Sequence, residues 1–221
     1  MKYKDLHRWD LSPKEAIREQ YRLRDMVKIK KLPFKGMRTV AGVDVSVKDD
    51  LSKAAIVILS FPDLEVMKTV THTMKTVFPY VPGLLSFREA PVILECVKKL
   101  KKAPDLFIFD GQGLAHPRGI GLATHMGLIL GRPSIGSAKS HLFGKFNPVG
   151  RKKGDYSLMY DNDDRAIGAV LCTRNDTNPV YVSPGHLADI PSSVRIILEC
   201  SPKYKLPEPI RAAHRAASLV N

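Results

Sequence analysis

No run of the 221-residue chain approaches membrane-spanning length, and the opening MKYKDLHRWD lacks an apolar signal region. Cysteine is scarce. Cys96, Cys172 and Cys200 form no C-x-x-C pair, are odd in number and have mostly apolar neighbours. That argues against a disulfide scaffold and for a reducing compartment. The histidines show no zinc-site spacing with the cysteines. There is no P-loop, and the dinucleotide fingerprint is missing from the first βα turn despite Gly111, Gly113, Gly119 and Gly121. No nucleophile elbow or Ser-His-Asp order competes. Internal repeats and low-complexity tracts are absent as well. Acidic side chains are in deficit, 22 against 35 basic, for a formal charge of +13. Such a balance favours polyanions: nucleic acid first, acidic membrane surfaces second. The basic residues are scattered, with small clusters at 28–31, 98–102 and 151–153. They read as a folded surface rather than a tail. Length and a 44% hydrophobic content suit one domain, residues 1–221, expected to be soluble, monomeric and cytoplasmic.

What is present reads as α/β. Ser12-Pro13-Lys14-Glu15 has the grammar of a helix start, and Ala16, Tyr21, Leu23 and Val27 supply an apolar side through about residue 29. Residues 39–47 alternate as a strand, 53–61 form a more continuous apolar strand, and 65–75 a third; short turns make the three antiparallel. Residues 76–87 read as a stiff, exposed aromatic loop. A helix is expected from Glu89 to about Leu100, although Pro91 complicates its first turns. A strand then ends at Asp110, a helix covers 120–130 and a strand 133–139. Later strands are expected at 156–160, 166–173 and 179–183, with helices at 192–200 and 208–220. Three early antiparallel strands, a crossover helix and then the strand ending at Asp110, expected to pair in parallel, make a mixed sheet, whose topology the right-handed crossover rule narrows without fixing.

Three acids stand out. Asp110 ends the apolar run 106–109 and is followed by Gly111 and Gly113, then His116 and Arg118. In α/β proteins, ligands gather outside the carboxyl ends of strands; a strand capped by an Asp-Gly turn would look the same. Asp44 interrupts the valines of GVDVSV and shares a face with Ser46, as a solvent-facing acid on an edge strand also would. Glu89 sits amid apolar residues near a helix start, where the helix dipole alone could explain it. Together they make an oxygen-ligand set suited to Mg²⁺ or Mn²⁺. A basic surface around such a set has the electrostatics of a nuclease. His214 lies on a late helix and could reach this site. Lys139, at a strand exit, could contact phosphate or be an ordinary surface lysine. Tyr80 stands between Pro79 and Pro82, a stiff aromatic able to enter a duplex or to pack back on the protein.

The ordered segments VAGVDVS, FPYVPGLLSFRE, PDLFIFDGQGLAHPR, GLATHMG, IGSAKS, VSPGH and PEPIRAAH resemble the endonuclease V family of deoxyinosine-directed repair nucleases along almost the whole chain. The resemblance implies a ribonuclease H-like fold, a mixed central sheet flanked by helices. It implies a metal centre of Asp44, Asp110 and Glu89, the last acting directly or through metal-bound water, with Mg²⁺ as cofactor and Mn²⁺ able to replace it. His214 becomes the late active-site histidine. His116 and Lys139 become supporting residues. Pro79, Tyr80, Val81 and Pro82 become a strand-separating wedge, and the segments around Gly83, Gly111 and Gly136 a close-fitting hypoxanthine pocket. The implied substrate is single- or double-stranded DNA containing deoxyinosine, cut at the second phosphodiester bond on its 3′ side to leave 3′-hydroxyl and 5′-phosphate ends. Inosine-directed cleavage of RNA, another ribonuclease H-like nuclease activity, and a non-catalytic nucleic-acid-binding protein are the alternatives.

Overall fold

The protein is described here by a computed structural model covering residues 1–218. One eight-stranded sheet runs through it. β1 (Thr39–Lys48), β2 (Leu51–Ser60) and β3 (Val66–Lys75) form the expected antiparallel meander. β4 (Leu106–Phe109) joins β1 in parallel and β5 (Ser134–Ala138) joins β4 in parallel. Three further strands extend the sheet: β6 (Tyr156–Tyr160), β7 (Ala166–Leu171) and β8 (Val180–Pro184). They are antiparallel and complete the order β3-β2-β1-β4-β5-β8-β7-β6. This is the mixed sheet flanked by helices that the sequence implied.

Side chains of a strand alternate between faces. Ala41, Val43, Phe107 and Phe109 pack under α2 (Leu85–Lys98) and α3 (Leu122–Leu130). Val40, Leu106 and Ile108 pack on the other face, against α4 (Ile190–Glu199) and α5 (Glu208–Ala217). The even-numbered positions of β1 therefore face α5, and Asp44 is one of them. Gly42, two residues earlier, lies directly under α5. A Cβ there would stand 1.9 Å from the Pro209 carbonyl oxygen. Only glycine lets helix and strand approach so closely.

Several expectations are corrected. β1 is interior rather than an edge strand, because β4 pairs on its far side, and Asp44 is only 9% exposed. The first helix, α1 (Pro13–Arg24), begins with the expected Ser12–Glu15 capping box but stops short of residue 29. Beyond it, backbone groups of Lys28 and Leu32 bond across to Leu187 and Ser192. Tyr21 is exposed rather than part of the apolar side. α2 starts at Leu85, four residues early, because Leu84 and Phe87 are buried and draw the turn into the core. Pro91 is tolerated inside it, and Glu89 falls in the second turn rather than the first. The last helix ends at Ala217; its expected continuation to residues 219 and 220 lies outside the described residues. Among the described residues, no helix is long and apolar enough to cross a membrane.

Candidate active site and nucleic-acid interface

Parallel pairing of β1 and β4 aligns Val43 with Phe109, and the Asp110 N–H donates to the Val43 carbonyl at 2.9 Å. The two acids that follow these residues, Asp44 and Asp110, are thereby brought side by side. α5 closes over the same face and brings His214, whose Nδ1 lies 2.8 Å from Asp44 Oδ2. One ligand atom each from Asp44, Asp110 and His214 lie within 4.8 Å of one another. Two carboxylates and an imidazole form a candidate site for a divalent cation. Lys139, at the exit of β5, sets its Nζ 2.5 Å from Asp110 Oδ2.

Glu89 is not part of that close set. It approaches from α2, on the opposite side of the sheet, yet belongs to the same electrostatic system. Burial pushes its carboxyl up to about 8, and the Asp44 and Asp110 charges add to the rise. Burial also raises the Asp110 carboxyl; the Lys139 hydrogen bond opposes the rise and Asp44 reinforces it. Burial, reinforced by the neighbouring carboxylates, thus holds Glu89 protonated at neutral pH, and a cation among these acids would relieve the crowding.

The sign of the Glu89 effect gives a stability prediction. An acid with a raised folded-state value costs stability as pH climbs from its ordinary 4.5 to about 8, because the unfolded chain releases the proton first. Glu89→Gln is therefore expected to raise the Tm of the metal-free protein at about pH 9 and to leave it unchanged at about pH 4. Equal shifts at both pH values in a calorimetric scan would show that Glu89 is not held neutral.

Beside the acids opens a cavity of about 330 Å³. Tyr80, Val81, Pro82 and Gly83 line one side, Asp110, Gly111 and Gln112 another, and Lys139 a third. Phe78 is buried on Phe87, and Val81 packs against the same cluster, which leaves Tyr80 standing out at 70% exposure. Phe78 thus departs from the expectation that the whole loop is exposed. Pro79 and Pro82 are exposed on either side of this anchor.

His116 lies beneath the loop, hydrogen-bonded to the Gly83 carbonyl. That oxygen accepts from Gln20 Nε2 at 3.0 Å, His116 Nε2 at 3.0 Å and the Arg118 guanidinium at 2.8 Å. His116 Nδ1 accepts from the Arg118 backbone N–H, which places the ring proton on Nε2. Burial lowers the ring to about 4, so it stays neutral. Arg118 Nε also donates to Gln20 Oε1. Gln20 and Arg118 were not expected as site residues. Arg118 was visible in the HPRG run, but nothing in the sequence marks a mid-helix Gln20.

Gly136 does not line the cavity. It lies under the Gly111–Gly113 turn, where a Cβ would stand 2.5 Å from the Gly111 carbonyl oxygen and 2.6 Å from the Gly113 nitrogen. The missing side chain is what permits this close backbone approach.

The model of the family described as endonuclease V matches residues 20–215. The chain belongs to the endonuclease V family. Endonuclease V of Kosmotoga olearia is 49% identical over 214 residues, covering 97% of this chain and 94% of the relative. The endonuclease V structure from Bacillus subtilis superposes with a TM-score of 0.92 at 31% identity, covering 98% of this chain and 95% of that one. The Ciona intestinalis endonuclease V, solved in complex with a 23-mer DNA containing an inosine followed by a ribo-adenosine, gives a TM-score of 0.81 at 26% identity. It covers 94% of this chain and is itself covered to 97%. Membership in the endonuclease V family makes the chain a DNA repair endonuclease that recognises deoxyinosine.

Proposed function

We propose that this member of the family hydrolyses the second phosphodiester bond on the 3′ side of deoxyinosine, using Mg²⁺ or Mn²⁺, and leaves 3′-hydroxyl and 5′-phosphate ends. The observation that carries the reading is the convergence of Asp44, Asp110 and His214 beside a cavity overhung by an exposed, proline-bracketed tyrosine. Asp110 belongs both to the acid cluster and to the cavity wall, so one stretch of backbone serves a displaced base and a nearby phosphate.

Asp44 and Asp110 would hold the cation, and Glu89, whose carboxyl their charges raise, would reach it through water. A bound divalent cation supplies charge stabilisation to the transferring phosphoryl group and acidifies water. The chain's own groups do the rest. With its Nδ1–H donated to Asp44, His214 keeps a lone pair on Nε2, on a side chain 60% exposed. It can orient the attacking water and accept its proton. Lys139 is partly exposed beside Asp110 and can turn an N–H toward a phosphate oxygen. Tyr80 fills the space left by the extruded base. The basic surface gathers the backbone, so activity should fall steeply with salt.

The test is a substrate panel: deoxyinosine in single- and double-stranded DNA, the matched adenine control, and inosine RNA. Deoxyinosine DNA is expected to be nicked with Mg²⁺ and left intact with EDTA. Equal cutting of the adenine control would sink lesion specificity. A preference for inosine RNA would move the substrate from DNA to RNA, and binding without metal-dependent turnover would make the acid cluster structural.

A further inference from the structure

One polar side chain of the cavity has its hydrogen-bonding direction imposed from outside. Ser86, in the first turn of α2, lines the cavity and is otherwise buried. Its Oγ lies 2.9 Å from Nδ1 of His125 on α3. His125 is fully buried, and its Nε2 lies 2.7 Å from Nε2 of His7. His7 Nδ1 in turn lies 2.7 Å from the Arg8 carbonyl oxygen.

That last bond fixes the others. A carbonyl oxygen can only accept, so His7 Nδ1 carries a proton. In neutral His7, Nε2 is then an acceptor and His125 Nε2 must donate to it. A neutral ring holds one N–H, so His125 Nδ1 accepts, and its partner is the Ser86 hydroxyl. Burial holds His125 in this neutral form. Ser86 has a single hydroxyl hydrogen, which is committed to His125. Toward the cavity its oxygen has only lone pairs to offer.

Hypoxanthine and adenine differ at this kind of contact. Hypoxanthine carries N–H at N1, whereas adenine presents a lone pair there. An acceptor facing N1 bonds the first and meets the second lone pair to lone pair. Sites that hydrogen-bond a specific substrate group discriminate strongly, because the mismatch leaves buried polar atoms unpaired. We propose that Ser86 is a specificity-determining residue that accepts the N1–H of hypoxanthine, and that His125 and His7 are positioning residues that keep it an acceptor. The proposal rests on reading this cavity as the hypoxanthine pocket. Gln112 is the rival acceptor. Its Nε2 donates to the Ser140 carbonyl at 3.0 Å, which leaves its Oε1 without a protein partner at the cavity wall.

The experiment compares deoxyinosine, deoxyadenosine and deoxynebularine in otherwise identical single strands at about pH 8, above the ordinary imidazole range. Deoxynebularine has the N1 lone pair of adenine and no substituent at C6. Equilibrium binding is measured without Mg²⁺, and kcat/KM on deoxyinosine with it. Ser86→Ala is expected to weaken deoxyinosine binding and to lower kcat/KM by about 10-fold, the scale of one lost hydrogen bond, with deoxynebularine binding within about twofold of wild type. His7→Ala lies outside the cavity and frees the His125 tautomer. It is expected to narrow the deoxyinosine-to-deoxynebularine binding ratio about threefold or more. An unchanged ratio in both variants overturns the proposal. So does a loss shared equally by both bases, which is what a merely structural role predicts, or a loss of discrimination confined to Gln112→Leu. A wild-type protein that binds deoxyinosine and deoxyadenosine alike would instead sink the reading of the cavity itself.

Discussion

Asp110→Asn is expected to lower kcat/KM on deoxyinosine DNA by about 10³-fold, ~4 kcal/mol of transition-state stabilisation. Asp110 is the point at which the acid cluster, Lys139 and the cavity wall meet. Asparagine keeps its shape and removes its charge. Cation affinity falls, and Lys139 loses the partner that aims it. The fold should survive. The Asp110 charge is one of the causes that raise Glu89, so its removal relieves repulsion within the metal-free protein. Lys139 is 42% exposed and can return its ammonium group to water. The metal-free Tm should therefore be equal to or above that of wild type, with lesion binding largely kept. Full cleavage by the variant would reject a central role for Asp110; loss of activity together with collapse of the fold would mean that the carboxylate is structural.

Gly42→Ala should be nearly as damaging while touching no group that meets substrate. The added methyl would lie 1.9 Å from the Pro209 carbonyl oxygen, 2.2 Å from its carbonyl carbon and 2.9 Å from its Cα, all backbone atoms. None can rotate away, so α5 must lift from β1. Overpacking of this kind costs about 1–3 kcal/mol, a fall of roughly 3–10 °C in Tm for a chain of this size. His214 rides on the same short helix, and its 2.8 Å bond to Asp44 cannot survive a shift of an ångström or more. Misplacement on that scale can lower kcat by about 10²-fold. Thermal scans and single-turnover cleavage check the two effects together. A variant with wild-type Tm and rate would show that α5 is seated elsewhere.

These two positions also show what the sequence made legible. Asp44 and Asp110 could be found because each breaks a local pattern: one interrupts alternating valines, the other ends an apolar run. Their meeting required only that the two strands be parallel neighbours. Glu89 was legible as an acid in apolar company, but its place on the helix was not. The helix was expected to start at Glu89 with Pro91 complicating its first turns, whereas burial of Leu84 and Phe87 sets the start earlier. His214 was pointed to chiefly by resemblance, because a histidine among alanines on an amphipathic helix carries no mark of its destination. Gln20 was beyond reach, and Arg118, visible beside His116, carried no sign of its partners. Their work is done on the Gly83 carbonyl, between segments far apart in the chain. Gly42 and Gly136 were readable as strand glycines, but the backbone that each accommodates comes from distant elements.

The Asp44–His214 bond joins residues 170 positions apart. During synthesis, the carboxylates emerge long before the imidazole that stands with them. Until α5 has been made and seated on Gly42, the chain carries the acids and the wedge without the imidazole that completes the Asp44, Asp110 and His214 cluster. Assembly of the site therefore waits on the seating of that one helix.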